Sequence, residues 1–199
     1  MPDRNSALQR FIDATEAGIR ARATDYPDAM PMADRVFAAL KDTGNVNPAA
    51  APARLPACRH FETALGQARE GPEPVPELAD ALAAIEPRFA WHRRLGSAQV
   101  AGDFHDNHAN AIIVGEGGLE ARQDVRIGLS LVAPGIPYPA HRHPPEELYI
   151  VLSPGEWMHD DGPMTLKRSG ELVHNGPNVW HAMHATDVPL LAIWCLCGR

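Results

Sequence analysis

"AHRHPPEELYIVLSPGEW" (residues 140–157) places His141, His143, Glu147 and Tyr149 at odd positions, ahead of and within the apolar run Leu148, Ile150, Val151 and Leu152. Side chains two apart on an extended chain point the same way. The spacing therefore predicts a β-strand with these four groups on one face. The other face carries Glu146, Leu148, Ile150 and Leu152, three of them aliphatic. A strand that is apolar on one side and gathers two imidazoles, a carboxylate and a phenol on the other predicts a barrel wall whose inner surface holds something. Pro144 and Pro145 donate no hydrogen bond and predict a bend or bulge beside that surface.

Imidazole nitrogen and carboxylate oxygen together are ligands for a divalent transition metal. Buried without a cation, such a cluster leaves polar groups short of partners and raises the carboxyl pKa. A further imidazole comes from "SGELVHNGPNVWHAMHA" (169–185), where His181 follows a Gly-Pro-Asn turn and opens an apolar run. His141, His143, Glu147 and His181 are thus the candidate ligands of one divalent ion, with Zn²⁺, Fe²⁺, Mn²⁺, Co²⁺ and Ni²⁺ all compatible. Whether His141 binds the ion directly stays open. His174 and His184 are candidate partners of ligands.

Outward from this stretch the chain has two grammars. Before about residue 95, apolar residues recur at helical spacing in 6–23, 32–44, 58–70 and 77–87, with Ser6 a candidate N-cap and the Pro/Ala/Asn connector "NVNPAAAPARLP" (45–56) between the second and third segments. Beyond it come short β runs at 98–103, 109–114, 125–133, 147–153, 164–167, 171–174, 179–184 and 189–196, separated by Gly, Pro, Asn and Asp. The expected fold is mainly β: one jelly-roll-like barrel over 95–199, with a helical extension over 1–94 packed on its outside.

A net charge of −7 argues against nucleic-acid or anionic-membrane binding. No stretch reaches the ~18 apolar residues of a membrane span, and the first residues lack a continuous apolar core. These features predict a soluble, cytoplasmic protein with no membrane or nucleic-acid partner. Cys58, Cys195 and Cys197 are read as reduced structural thiols. His105 and His108, in "FHDNHANAIIVG", are read as exposed loop histidines, Trp180 as a core residue, and Glu146 as solvent-facing.

The segment Gly135–Glu147 resembles the first cupin motif: Gly135, five residues, His141-x-His143, three residues and Glu147, with a closing Gly155 one residue late. The second motif is present in outline. Gly170 and His181 stand in register, while Gly176, Asn178 and Ala185 replace the expected Pro, Gly and Asn. More narrowly, a helical first half, a single cupin barrel, "YPAHRHPPEELYIVLSPGEW" and "NVWHAM" are similar to the cupin-type dimethylsulfoniopropionate (DMSP) lyases, and among them to the DddQ type.

That resemblance implies a carbon–sulfur lyase cleaving DMSP to dimethyl sulfide and acrylate with a divalent metal, and it assigns Tyr149 as the base. A sulfonium has no hydrogen-bond donor, so aromatic faces are its natural receptors; Tyr138 and Trp194 are the candidates. An iron-dependent cupin dioxygenase on the same ligands and a non-catalytic small-molecule-binding cupin are the alternatives, because the fold alone does not fix function. The oligomeric state is open, a homodimer being one option.

Overall fold

The computed structural model describes residues 4–47 and 51–197; residues 48–50 of the Pro/Ala/Asn connector lie outside it. Four helices occupy the first part: α1 (Ser6–Arg20), α2 (Met30–Ala39), α3 (Phe61–Arg69) and α4 (Val75–Ile85). The α1 cap is Asn5 rather than Ser6, its side chain accepting the N–H groups of Ala7 and Leu8. The stripe Leu8, Phe11, Ile12 and Ile19 is buried as the spacing predicts. Gly18 lets α1 approach the sheet closely, since a Cβ there would sit 2.7 Å from the Ile150 side chain.

The strands are β1 (Asn45–Val46), β2 (His108–Val114), β3 (Glu120–Ala121), β4 (Val125–Val132), β5 (Pro137–His141), β6 (Glu146–Val151), β7 (Gly155–His159), β8 (Thr165–Lys167), β9 (Leu172–Asn175), β10 (His181–His184) and β11 (Leu190–Cys197). They form two separate sheets, β1-β3-β2-β4-β11-β6-β9 and β5-β10-β7-β8, so the expected closed barrel is not what the hydrogen bonds make. The run expected at 98–103 is not a strand; it runs from a 3₁₀ turn at Ser97–Gln99 into another at Asp103–Asp106. The strands β5 and β7, each interrupted by proline or glycine signals in the sequence, were not expected.

The stretch 140–157 is likewise not one strand. β5 ends at His141 in the smaller sheet and β6 begins at Glu146 in the larger one. Pro144 and Pro145, with no N–H to give a ladder, lie where the chain changes sheets.

β4, β6 and β11 each turn one face to the helices and the other to the smaller sheet. Outward go Leu129 and Leu131, Leu148 and Ile150, and Leu191 and Ile193, all in one core with the helical stripes. Each such side chain contributes roughly 1.5–3 kcal/mol on burial. Inward go Val132, Tyr149, Val151 and Ala192, which pack with Tyr138, Trp157 and Met183 of the smaller sheet. Tyr149 meets Trp157 edge to face, centroids 4.8 Å apart, and so bridges the sheets. The three cysteines are free; Cys58 and Cys195 are buried and Cys197 half-buried.

Candidate metal centre

Three histidines reach one point from separate chain segments. His141 ends β5, His181 opens β10, and the two are register partners with ring centroids 4.1 Å apart. His143 stands on the 142–145 connection. Its carbonyl accepts the Asn178 backbone N–H at 2.9 Å, tying this connection to the turn ahead of β10. Asn178 has φ of 59°, a left-handed conformation that asparagine tolerates.

Each ring is aimed by nearby backbone. The Nδ1–H of His141 donates to the Pro139 carbonyl at 3.0 Å, that of His143 to Pro145 at 2.9 Å, and that of His181 to Val179 at 3.0 Å. A carbonyl can only accept, so all three rings carry the Nδ1 proton and Nε2 is left to bind. One ligand atom from each ring lies within 4.8 Å of the others. Glu147, from β6, brings its Oε2 to 3.1 Å from Nε2 of both His143 and His181.

Electrostatics follow from that contact. Burial pushes the Glu147 carboxyl up, but His143 and His181 more than reverse this and hold it at about 2. The hydrogen bond to Glu147 raises His143, whereas burial, then His181, pushes His141 down to about 4. Buried Nε2 of His181 has no hydrogen-bond partner, lying near Oε2 without the necessary alignment. When the ring is neutral, with its proton on Nδ1, the Nε2 lone pair faces the carboxylate, a repulsion that a second proton or a cation at that point relieves. A cation between them turns the contact into ligation, and the donor set of three nitrogens and one oxygen fits a divalent transition metal.

A cavity of about 190 Å³ adjoins this cluster, lined by His141, His143, Glu147, Tyr138, Tyr149 and Trp194. It is smaller than the ~300–1,000 Å³ usual for drug-sized ligands, which suits a small substrate. Tyr149 is buried; burial, then Glu147, pushes its phenol well above the ordinary value. Trp194, on β11, is the register partner of Tyr149 on β6 and of Gly128 on β4. A Cβ at Gly128 would fall 2.0 Å from the indole, so this glycine makes room for the ring. The Tyr138 hydroxyl accepts a hydrogen bond from Asn110 at 3.3 Å.

The same cavity is lined by Arg94, Asn110, Ser130 and Leu196, none of which sequence reasoning singled out. Asn110 and Ser130 left a signal, as uncharged polar residues among the apolar ones of "HANAIIV" and "VRIGLSLV". Arg94, in an irregular segment, left none.

Other expectations need correction. His108 is completely buried, not a loop residue. It stacks on Phe104 at 3.8 Å, donates from Nδ1 to the Phe104 carbonyl, and accepts the Arg94 backbone N–H at Nε2. Trp180 is 41% exposed, its ring covered by the Arg142 guanidinium at 4.9 Å, because the residue beside inward-pointing His181 must face outward. Glu146 pairs with Arg35 and with His174.

The profile of the dimethylsulfoniopropionate lyase family matches residues 30–192. Among curated proteins, the DMSP lyase DddQ of Ruegeria pomeroyi is 27% identical over 117 residues, a span covering 58% of each chain. The crystal structure of DMSP lyase DddQ from R. pomeroyi matches with a TM-score of 0.74 at 24% identity, covering 98% of this chain and 93% of that one. A chain from the crystal structures of the DMSP lyases RdDddP and RnDddQII matches with a TM-score of 0.69 at 25% identity and the same coverage.

Proposed function

The chain belongs to the DMSP lyase family, and on that premise we propose that it splits DMSP into dimethyl sulfide and acrylate at the His141, His143, Glu147 and His181 cluster, with a divalent metal bound there and Tyr149 as the base. One observation carries the reading. Three Nδ1–H groups fixed on backbone carbonyls leave three Nε2 atoms converging beside a buried carboxylate, next to a small cavity. Such convergence is what a resident cation requires of its ligands.

A bound divalent cation supplies Lewis acidity toward the substrate carboxylate and positive charge that favours the Tyr149 phenolate. The chain supplies the remainder. Tyr149 Oη takes the proton from the carbon next to the carboxylate. That C–H electron pair becomes the carbon–carbon double bond, and the C–S pair departs with sulfur. Neutral dimethyl sulfide leaves from a cation, so no acid is needed. The two aromatic candidates for receiving the sulfonium, Trp194 and Tyr138, both line the cavity. Because burial and Glu147 both hold the phenol protonated in the protein alone, the base role of Tyr149 depends on the added positive charge.

The test is headspace analysis of purified protein with DMSP, with and without chelator, in air and under nitrogen. Dimethyl sulfide is expected in the metal-replete samples in both atmospheres, absent after chelation, and restored by divalent metal. Absence of volatile sulfide from metal-replete protein at alkaline pH would overturn the assignment. A strict need for oxygen would point to the dioxygenase alternative instead.

A further inference from the structure

We propose that Arg94 anchors the substrate's carboxylate, an inference that rests on the lyase reading above and adds to it the residue that recognises the anionic end. Neighbouring arginines show what is distinctive about it. Arg93 turns outward, donating to the His105 carbonyl and pairing with Asp106 at 2.7 Å. Arg94 turns inward, lines the cavity, and forms no ion pair with an acidic side chain among the described residues. Glu147, which lines the same cavity, is already engaged by His143 and His181.

The position of Arg94 is built. Its backbone N–H is held by His108 Nε2 at 2.8 Å, and His108 is fixed in turn by the Phe104 carbonyl at 2.6 Å. The guanidinium carbon lies 5.7 Å from the centre of the Tyr138 ring, which is also packed by Phe104, His108 and His141. On the same cavity wall the Asn110 amide donates to the Tyr138 hydroxyl at 3.3 Å, holding the ring over which the guanidinium lies. A supported guanidinium that faces a small cavity without an acidic partner is a cationic end open to an anionic ligand.

A carboxylate fits the guanidinium fork, which can give it two parallel N–H bonds. Removing a proton from the adjacent carbon delocalises negative charge onto that carboxylate, so the fork holds the transition state more strongly than the ground state. The arrangement also divides the aromatic groups. The face of Tyr138 supports the guanidinium, which leaves the Trp194 indole, at the opposite side of the register from β2, to receive the sulfonium.

The experiment compares wild type with Arg94→Gln and Arg94→Lys, all metal-replete, by steady-state cleavage of DMSP and by calorimetric titration with propionate, the substrate's acid end without its sulfonium. The Gln variant is expected to lose about 10²-fold in kcat/KM, to bind propionate at least about tenfold more weakly, and to keep its metal content. The Lys variant, which retains charge without the fork, is expected to recover part of both losses. Equal kcat/KM and equal propionate affinity in wild type and Gln variant would overturn the proposal, as would a wild type that does not bind propionate. Should the wild type release no dimethyl sulfide, the lyase reading fails, and the propionate comparison still decides the role of Arg94.

Discussion

The two faces of strand β6 meet different surroundings. Leu148 and Ile150 enter a continuous apolar core under the helices, while Glu147 and Tyr149, one residue away from each, enter a polar end of the space between the sheets. The first face needs only volume and fit. The second needs particular atoms: a carboxylate 3.1 Å from two imidazoles and a phenol deep in the same wall. Packing alone occupies one side of the sheet, whereas packing and chemistry share the other, so substitutions on the two faces should fail differently.

The largest effect expected on the inner face is that of Tyr149→Phe. Removing the base should lower kcat by about 10²–10⁴-fold, while the loss of one buried hydroxyl shifts stability by only about 1 kcal/mol. Dimethyl sulfide release and thermal melts on the same samples check both halves. A variant that retains its metal and its full rate would remove Tyr149 from the mechanism.

Ile150→Ala should do the reverse. A cavity under α1 is expected to cost about 2–5 kcal/mol in denaturant unfolding, with metal content and kcat near those of wild type at temperatures where the fold holds. If activity fell as steeply as for Tyr149→Phe, the division between the faces would be wrong.

Gly128→Ala tests the inner face from a third strand. The new methyl would collide with the Trp194 ring, and the overpacking should cost about 1–3 kcal/mol. Displacement of the indole should raise KM for DMSP more than it lowers kcat. An unchanged KM would separate Trp194 from substrate binding.

The smallest expected effect concerns pH. Burial holds His108, on the inner face, at about 4, below its unfolded value of about 6.5. Between those values the unfolded chain binds the extra proton, so stability falls as pH drops from about 6.5 towards 4 by roughly 1 kcal/mol per pH unit. Above 6.5 the contribution vanishes. In His108→Phe the slope of melting temperature against pH over this window should be shallower, and an unchanged slope would contradict the assignment.

How much of this was legible follows from how each feature is encoded. Amphipathic spacing placed the helices, as the buried stripe Leu8, Phe11, Ile12 and Ile19 shows, because helical periodicity is local. The His-x-His and Glu147 spacing, with His181 beyond a turn, singled out residues that the fold does bring together, but not in the way the spacing implies. Those residues do not share one strand face: His141 and Glu147 lie in different sheets, and the chain folds back between them at Pro144–Pro145. Only pairing partners distant in sequence decide that arrangement, and no local pattern records them. Arg94, Asn110 and Ser130 escaped for the same reason, each meeting the cavity from its own segment. Trp180 was misjudged because an exposed indole under a guanidinium leaves the same mark in a sequence as a buried one.

The most direct test of the centre itself is a calorimetric titration of chelator-stripped protein with Zn²⁺ and Mn²⁺, run beside His143→Ala and His181→Ala. The convergence of Nε2 atoms on Glu147 predicts one ion per wild-type chain and binding weakened by at least about tenfold in each variant. Wild-type protein that takes up no divalent ion, or variants that bind it as tightly as wild type, would contradict the assignment of these residues as a metal site.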